Sequence, residues 1–498
     1  MQFNSIDFMR FFPIVLGTYF VIPKRVRSIW LLLASYYFYM NWNPKYALLM
    51  AFSTLATYAS GILIEKNDRT VNAKRNKKII LATCLVVNLG ILAIFKYANF
   101  MIDTVDGIFQ VLHMNITPPR YNIVLPVGIS FYTFQALGYI IDVYRGEINA
   151  EKNLPRYALF VSFFPQLVAG PIERSKNLLT QMREIENIKL WNAKRITSGA
   201  ILMVYGLFMK MVIADRVAIL VNNVFDNFRM YGSVELILAA IGFSIQIYCD
   251  FGSYSMIAIG AAKIMGFHLM ENFNAPYFAK SISEFWRKWH ISLSTWFKEY
   301  LYIPLGGNRK GKKRQAVNLM IVFLVSGLWH GAEWSFVIWG GIHGIIQIVE
   351  KFLSPTMDKL IKKYNVKTNC LSWSLLQIVY TFSIVSFAWI FFRADTILEA
   401  LRFIKRIFSY PNPWVLFNGG IYALGLDRVE MNILIVSLLF LILADIIRYR
   451  KKITIDKFLM EQNLWFEWLV IIGLIWMIFI FGKYGSMFDA QQFIYFQF

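Results

Sequence analysis

Long apolar segments separated by short polar stretches run through the whole chain. A helix needs about 20 apolar residues to cross the roughly 30 Å hydrocarbon layer of a bilayer. The pattern predicts early spans at about 8–23, 29–42, 46–64 and 79–97. Later spans are predicted at about 121–145, 197–224, 234–262, 372–392 and 464–482.

Three other segments have a different pattern. Residues 160–175 are broken by two prolines and a glycine, which predicts a re-entrant segment that faces protein or a cavity. Residues 176–195 and 393–408 place apolar and charged side chains at helical spacing, which predicts amphipathic helices, the first in the membrane interface. The fold class is therefore an all-α polytopic membrane protein with about 11 to 13 transmembrane or re-entrant helices. No internal repeat or long linker divides it, so residues 1–498 are predicted to form a single integral-membrane domain.

Lysines and arginines cluster in the loops between these segments, and loops of this kind face the cytoplasm. The clusters lie at 24–27, 65–78, 306–315, 351–369 and 448–457. Counting spans between them places both the N-terminus and the C-terminal tail outside. The N-terminal segment lacks the features of a cleavable secretory signal, so it is predicted to be a retained span.

Composition supports a membrane solvent. The chain is 57% hydrophobic and 16% charged, with a mean hydropathy of +0.49. It therefore has more apolar surface than a water-soluble domain can bury. The net charge of +21 belongs to the basic loops, so no nucleic-acid partner is expected. Cys84, Cys249 and Cys370 are far apart and have no ligand spacing, which argues against a disulfide framework or a thiolate metal site.

Residues 281–344 contain three of the five histidines, His290, His330 and His343, among tryptophans, phenylalanines and charges. Ionisable side chains are costly in a membrane and usually mark a functional site. Sixteen residues separate Arg314 in the basic loop from His330 (330 − 314 = 16), which corresponds to about 24 Å of helix. His330 is therefore predicted to lie deep in the membrane, at a helix end beside an aromatic-lined space.

Histidine has an unperturbed pKa near ~6.5, so it can take a proton from a hydroxyl and return it to a leaving group. This property suits acyl transfer. Each histidine also has a simpler interpretation as a core residue whose ring is hydrogen-bonded to backbone groups. The histidines are 40 and 13 residues apart, without the spacing of a zinc site, so no metal is predicted.

Gln246 and Asp250 lie deep in the apolar segment 234–262. A carboxylate in that position either belongs to a substrate pathway or is satisfied by local hydroxyls such as those of Tyr248 and Ser253. Both interpretations remain open at this point.

The sequence strongly resembles the membrane-bound O-acyltransferase family along nearly its whole length. The resemblance rests on blocks such as LPVGISFYTFQALGYIIDVYRG, FVSFFPQLVAGPIER, FWRKWHISLSTWFKEYLYIPLGGNRKG, SGLWHGAEWSFVIWGGIHG and the terminal FIYFQF. It implies that His330 in SGLWHG is the essential histidine and that His290 in FWRKWH is the second one. It also implies a funnel-like central cavity in which a cytoplasmic donor and an outside acceptor meet.

The resemblance further implies an acetyltransferase of the bacterial cytoplasmic membrane that uses acetyl-CoA as donor and holds no bound cofactor. The acceptor would be an extracytoplasmic polysaccharide such as an alginate-like polymer, cellulose or a cell-wall polymer, reached through an SGNH-like partner protein. The basic loop 306–315 and Lys298 would attract the donor phosphates. The candidate donor-binding or substrate-binding residues are Gln246, Asp250, Trp286, Arg287, Lys298, Arg309 and Trp329.

Two other classes of function remain. A transporter would also bury charge and interrupt its helices with glycine, but it usually has internal symmetry, which this sequence lacks. A structural subunit of an exopolysaccharide export machine would not need so many titratable groups around His330. Thioester cleavage by the purified protein would separate the enzyme from both.

We predict that cysteines introduced into the loops 65–78, 306–315 and 448–457 are protected from a membrane-impermeant thiol reagent added to intact cells, because basic loops stay inside. The host chain for these substitutions carries serine at the three native cysteine positions. Labelling after the cells are opened is the positive control. Labelling of any of these loops in intact cells would overturn the topology.

Overall fold

The computed structural model describes residues 1–67, 72–114, 119–121, 123–484 and 493–494. These residues form twenty α-helices and no β-strand, which confirms the all-α fold class. Three parts of the sequence predictions lie outside the described residues: positions 68–71 of the loop 65–78, position 122 of the span 121–145 and positions 495–498 of the terminal FIYFQF.

The chain divides into two compact units, and the first comprises residues 1–199 and 258–270. The prediction of a single domain over 1–498 stays a prediction. The first unit contains α1 (Ile6–Val21), α2 (Arg27–Met40), α3 (Pro44–Lys66), α4 (Ala73–Val111), α5 (Ile129–Tyr144), α6 (Leu154–Ser162), α7 (Phe164–Leu167) and α8 (Ser175–Arg183).

The second unit comprises residues 200–257 and 271–498. Its helices include most of α9 (Ala193–Phe208) and of α11 (Ser233–Met265), with α10 (Asp215–Asp226) between them. The others are α12 (Ile282–Lys288), α13 (Ile291–Phe297), α14 (Gly311–His330), α15 (Trp334–Lys363), α16 (Leu371–Arg393), α17 (Ile397–Ser409), α18 (Arg428–Lys451), α19 (Ile455–Met460) and α20 (Leu464–Phe481).

Eight helical segments of the described residues are long and apolar enough to cross a membrane, so this is a multi-pass membrane protein. They are α3, α4, the continuous segment Ala193–Asp226, α11, α15, α16, α18 and α20. The other predicted spans form shorter helices, such as α1 with 16 residues and α2 with 14.

The predicted break at 160–175 is confirmed, since α6 ends at Ser162, α7 ends at Leu167 and no helix follows before Ser175. The segment is buried, and Gln166 Nε2 donates to Gln135 Oε1 at 3.0 Å. This contact agrees with the expectation that the segment faces protein.

Two predicted helices are shorter in the structure than the sequence predicts. The helix predicted at 121–145 begins only at Ile129, because Gly128 precedes it with φ +74° and a Cβ there would lie 2.7 Å from the Leu167 carbonyl oxygen. The amphipathic helix predicted over 176–195 ends at Arg183 and gives way to a 3-10 turn at Ile185–Asn187. The prediction for 393–408 is confirmed by α17, which Thr396 caps.

Helices α14 and α15 form a hairpin whose backbones approach each other closely through glycines. A Cβ at Gly327 would lie 2.3 Å from the Phe336 carbonyl oxygen, and a Cβ at Gly340 would lie 2.3 Å from that of Phe323. Small residues allow this approach between membrane helices. The relative position of the C-terminal end of α14 and the N-terminal end of α15 therefore depends on both glycines.

We predict that Gly340→Ala lowers the thermal stability of the purified protein, because the added methyl group meets backbone that cannot move aside; overpacking of this kind costs about 1 to 3 kcal/mol. The adjacent Gly341→Ala is the matched control, since its Cβ would meet only Leu324 Cδ2, at 3.7 Å. Thermal unfolding followed by size-exclusion chromatography in detergent would compare the two. Equal midpoints for the two variants would contradict the close approach.

Candidate active site

His330 is the last residue of α14, and Gly331 ends the helix in an extended conformation. The His330 side chain is 2% exposed. Its ring centroid lies 5.0 Å from that of Trp329, 5.0 Å from that of Trp339 and 5.6 Å from that of Phe392. The predicted helix end in aromatic surroundings is therefore confirmed.

His290 lies between α12 and α13 with φ +43°, in the left-handed region. A residue other than glycine rarely adopts this conformation unless its surroundings hold it there. Asn272 supplies two such contacts. Its carbonyl oxygen accepts from the Ile291 N–H at 2.9 Å, and its side-chain oxygen accepts from the Ser292 hydroxyl at 2.6 Å.

The fold brings these two histidines together, with ring centroids 6.3 Å apart. Trp329 contacts both rings, since its centroid lies 5.8 Å from that of His290. His290 lies outside the eight spanning segments, and burial lowers its pKa to about 3. Its imidazole is therefore neutral at physiological pH.

His343 has different surroundings. It lies on α15 with no exposed surface, and the rings of Trp286 and Trp339 are each 5.2 Å away. Neither of its ring nitrogens has a hydrogen-bond partner among the described residues. This aromatic packing is that of a core residue.

A cavity of about 400 Å³ is lined by residues that neighbour the two histidines along the chain, although neither histidine is among its lining residues. Its lining includes Ile291, which follows His290, and Ser326, which is one helical turn before His330. Three of the predicted donor-binding residues line it: Trp286, Arg287 and Lys298. Lys351 and Gln347 of α15 also line it, although the sequence analysis did not single them out.

The other four candidate binding residues do not line this cavity. Trp329 packs between the two histidines. Arg309 is exposed in the turn before α14, and Gln246 and Asp250 lie on α11 with 9% and 3% of their surface exposed. These positions do not support direct contact with a donor in this cavity.

The structure places Asp250 in a buried ion cluster. Lys210 Nζ lies 2.5 Å from Asp250 Oδ1 and 2.9 Å from Asp215 Oδ1. The interpretation that local hydroxyls satisfy Asp250 is wrong, because Tyr248 donates to Asp445 and Ser253 donates to the backbone carbonyl of Asp250. The cluster compensates charges that would otherwise be buried alone.

Lys210 was missed by the sequence analysis. It lies in the π-helical segment Met209–Ala214 and is 2% exposed. The available signal was a lone lysine in the apolar run YGLFMKMVIA, which needs a buried partner in a membrane. Sequence alone did not say which carboxylate that partner is.

Asp250 also anchors the end of the chain. Its Oδ2 accepts from the Ile494 N–H at 2.7 Å, and the neighbouring Phe493 is fully buried. The Phe493 ring lies 6.1 Å from that of Phe251, which lies 4.7 Å from that of His290. Asp250 therefore helps to hold Phe493 in place, and Phe493 packs near Phe251, whose ring contacts His290.

A multi-pass helical membrane protein with two adjacent buried histidines and a cation-lined cavity is equipped for acyl transfer. The model of the family "MBOAT, membrane-bound O-acyltransferase family" matches residues 147–394. The chain belongs to this family, as its sequence blocks predicted, and it is an O-acyltransferase.

Relatives match along most of the chain. The probable alginate O-acetylase AlgI of Pseudomonas putida is 36% identical, over 100% of both chains. The protein of the same name from Pseudomonas aeruginosa is 40% identical over 82% of this chain and 75% of its own. The peptidoglycan O-acetyltransferase of Helicobacter pylori is 33% identical over 88% of this chain and 86% of its own.

We predict that Lys210→Met strongly destabilises the protein, because it leaves Asp215 and Asp250 buried without their cation. Removing one partner of a buried ion pair typically costs about 3 to 5 kcal/mol. Thermal unfolding in detergent measures the effect. The control is Lys405→Met, which removes an exposed lysine of α17, and the same midpoint in both variants would contradict the role of the cluster.

Proposed function

We propose that this protein is an O-acetyltransferase of the bacterial cytoplasmic membrane. It takes acetyl groups from cytoplasmic acetyl-CoA and passes them to an extracytoplasmic polysaccharide through an SGNH-like partner protein. The names of the relatives support the acetyl group and a polysaccharide acceptor. The observation that carries the chemistry is the histidine pair beside the cation-lined cavity.

In this proposal His330 is the general base. It removes the proton from the acceptor hydroxyl while the hydroxyl oxygen attacks the thioester carbonyl carbon. The tetrahedral intermediate then breaks its C–S bond, and the leaving sulfur takes the proton back from the His330 imidazolium. The products are the O-acetyl ester and free coenzyme A, so no bound cofactor is needed.

His290 acts beside His330 as a neutral imidazole that helps to polarise the thioester or to line the donor path. Trp286, Arg287 and Lys298 bind the donor in the cavity. Trp329 orients the two imidazoles, since its ring contacts both.

The two substrates approach from opposite sides in this proposal. Coenzyme A is large and polyanionic, so it does not cross the apolar layer intact. The N-terminus lies outside and the basic loop 306–315 lies inside, which places the donor cavity on the cytoplasmic side. The acceptor then reaches His330 from outside.

We predict that His330→Gln abolishes polymer acetylation, because glutamine keeps a hydrogen-bonding shape but cannot accept and release a proton near neutral pH. Loss of a general base typically lowers the rate by about 10² to 10⁴. His290→Ala is expected to be severe but to keep residual turnover, and His343→Ala to be the mildest of the three. Acetyl content of the polymer from cells with matched membrane abundance is the measurement.

The control for this experiment is His268→Gln, which changes an exposed histidine outside the reaction centre. Near-normal acetylation by His330→Gln would overturn the assignment of the base and transfer it to His290. Thioester cleavage by the purified protein, absent from His330→Gln, would exclude a transporter or a structural subunit.

A further inference from the structure

A cavity of about 530 Å³ lies between α1 and α2 of the first unit. The two helices run antiparallel, since the Phe11 ring stacks on that of Tyr37 at 5.9 Å near one end and Trp30 Nε1 donates to the Val15 carbonyl at 3.1 Å near the other. Among the described residues, the cavity shares no lining residue with the proposed donor cavity. It is therefore a separate feature of the molecule, and we call it the α1–α2 groove.

The groove follows one face of each helix. Its lining positions are three or four residues apart, which places their side chains on one side of a helix; they are 7, 10, 11, 14 and 15 of α1 and 30, 33, 34, 37 and 41 along α2. They extend over eight residues of α1 (15 − 7 = 8) and eleven along α2 (41 − 30 = 11), or about 12 to 16 Å of helix. One leaflet of a bilayer has a hydrocarbon depth of about 15 Å, so the groove is about as long as one leaflet is deep.

The lining changes from charged to apolar along this length. Asp7, Arg10 and Asn41 lie exposed at the end where α1 begins and α2 finishes. Further along, the lining side chains are apolar, and those of Ile14 and Leu33 are 64% and 60% exposed, so protein does not cover this side of the groove. A charged mouth followed by an open apolar channel has the polarity profile of a phospholipid.

The mouth carries charges of both signs. Asp7 and Arg10 are three residues apart on α1, so their Cβ atoms lie about 5 to 6 Å from each other, yet Arg10 has no ion-pair partner within the described residues. Asp7 lies near the Met1 amine, whose pKa burial lowers to about 6 although Asp7 acts in the opposite direction. That amine carries little charge at neutral pH, so both the guanidinium and the carboxylate are available to a ligand.

A guanidinium beside a carboxylate suits a headgroup that contains both a phosphate and an ammonium. Arg10 matches the phosphate oxygens through its planar fork of donors. A primary ammonium two carbons from that phosphate would reach Asp7 and donate to it. A headgroup with a phosphate alone would instead bring a second negative charge close to Asp7, which opposes binding.

We propose that the α1–α2 groove binds one phospholipid with an ethanolamine headgroup. Arg10 binds its phosphate, Asp7 binds its ammonium, and one acyl chain lies along Ile14, Leu33 and Tyr37. This inference does not rest on the proposed function, because none of these residues takes part in the proposed acyl transfer.

The test is native mass spectrometry of the purified full-length protein, titrated in detergent with palmitoyl-oleoyl phosphatidylethanolamine or with the phosphatidylglycerol that has the same chains. We expect the wild type to bind the first ethanolamine lipid about 3- to 10-fold more tightly, because only this lipid satisfies both charges of the mouth. Asp7→Asn should remove that preference by weakening the ethanolamine lipid alone. Arg10→Gln should weaken both lipids, with Arg25→Gln as the control, because Arg25 is exposed and does not line the groove.

A second pair of variants tests the apolar part of the groove. Ala34 lines it with 5% of its surface exposed, so Ala34→Leu fills space that the acyl chain would occupy and should weaken both lipids about 3- to 10-fold, as expected when the burial of one or two methylene groups is lost. Gly17→Leu is the matched control, since it adds the same side chain to α1 where a Cβ would meet no atom within 4 Å. Thermal unfolding verifies that each variant is folded.

Three results would overturn the site. Equal affinities of the wild type for the two lipids, or a preference for phosphatidylglycerol, would contradict the ethanolamine headgroup. An unchanged preference in Asp7→Asn would contradict the contact with the ammonium. Equal lipid binding by folded Ala34→Leu and Gly17→Leu would place the lipid outside the groove.

Discussion

The close backbone approach of α14 and α15 determines the geometry of the histidine site. Gly327 and Gly340 let each helix touch the carbonyl groups of the other. That contact sets the depth at which α14 ends, and so the position of His330. It also places Trp339 of α15 against His330 on one side and His343 on the other.

Buried charged side chains in the second unit are paired with nearby groups of opposite charge. The π-helical segment around Lys210 leaves backbone carbonyls that the regular helical pattern does not satisfy. Arg216 donates to the Val212 carbonyl at 2.6 Å and the Lys483 N–H donates to that of Met211 at 2.9 Å. Glu430 binds the side chains of both Arg216 and Lys483, each at 2.6 Å, so an irregular helix and its cations support each other.

The parts of the site that could be predicted from sequence are those set by local pattern. The end of α14 at His330 follows from a glycine after a 20-residue helix that starts in a basic loop. The partner of Asp250 could not be predicted, because Lys210 is 40 residues away and the pairing depends on the packing of α11. The start of α5 at Ile129 and the end of α8 at Arg183 were not predicted. They are set by the left-handed Gly128 and by the 3-10 turn Ile185–Asn187, which the hydrophobic pattern does not indicate.

The proximity of His290 and His330 also results from tertiary packing. The sequence around either residue does not indicate that the other lies next to it. Asn272 matters here because it holds the break between α12 and α13 through both its backbone and its side chain. The sequence gives no sign of this role, because an asparagine before a short helix is usually a cap or a turn residue.

The left-handed backbone at His290 restricts which amino acids that position can carry. Outside glycine, this conformation is populated mainly by asparagine, aspartate and histidine. Of these, glycine and asparagine do not titrate, and an aspartate would bring a negative charge into a fully buried position. Histidine is the aromatic member of this small set, and at this position its ring stays neutral and packs against the rings of Phe251 and Trp329, so the shape of the chain and the packing of the site select the same residue.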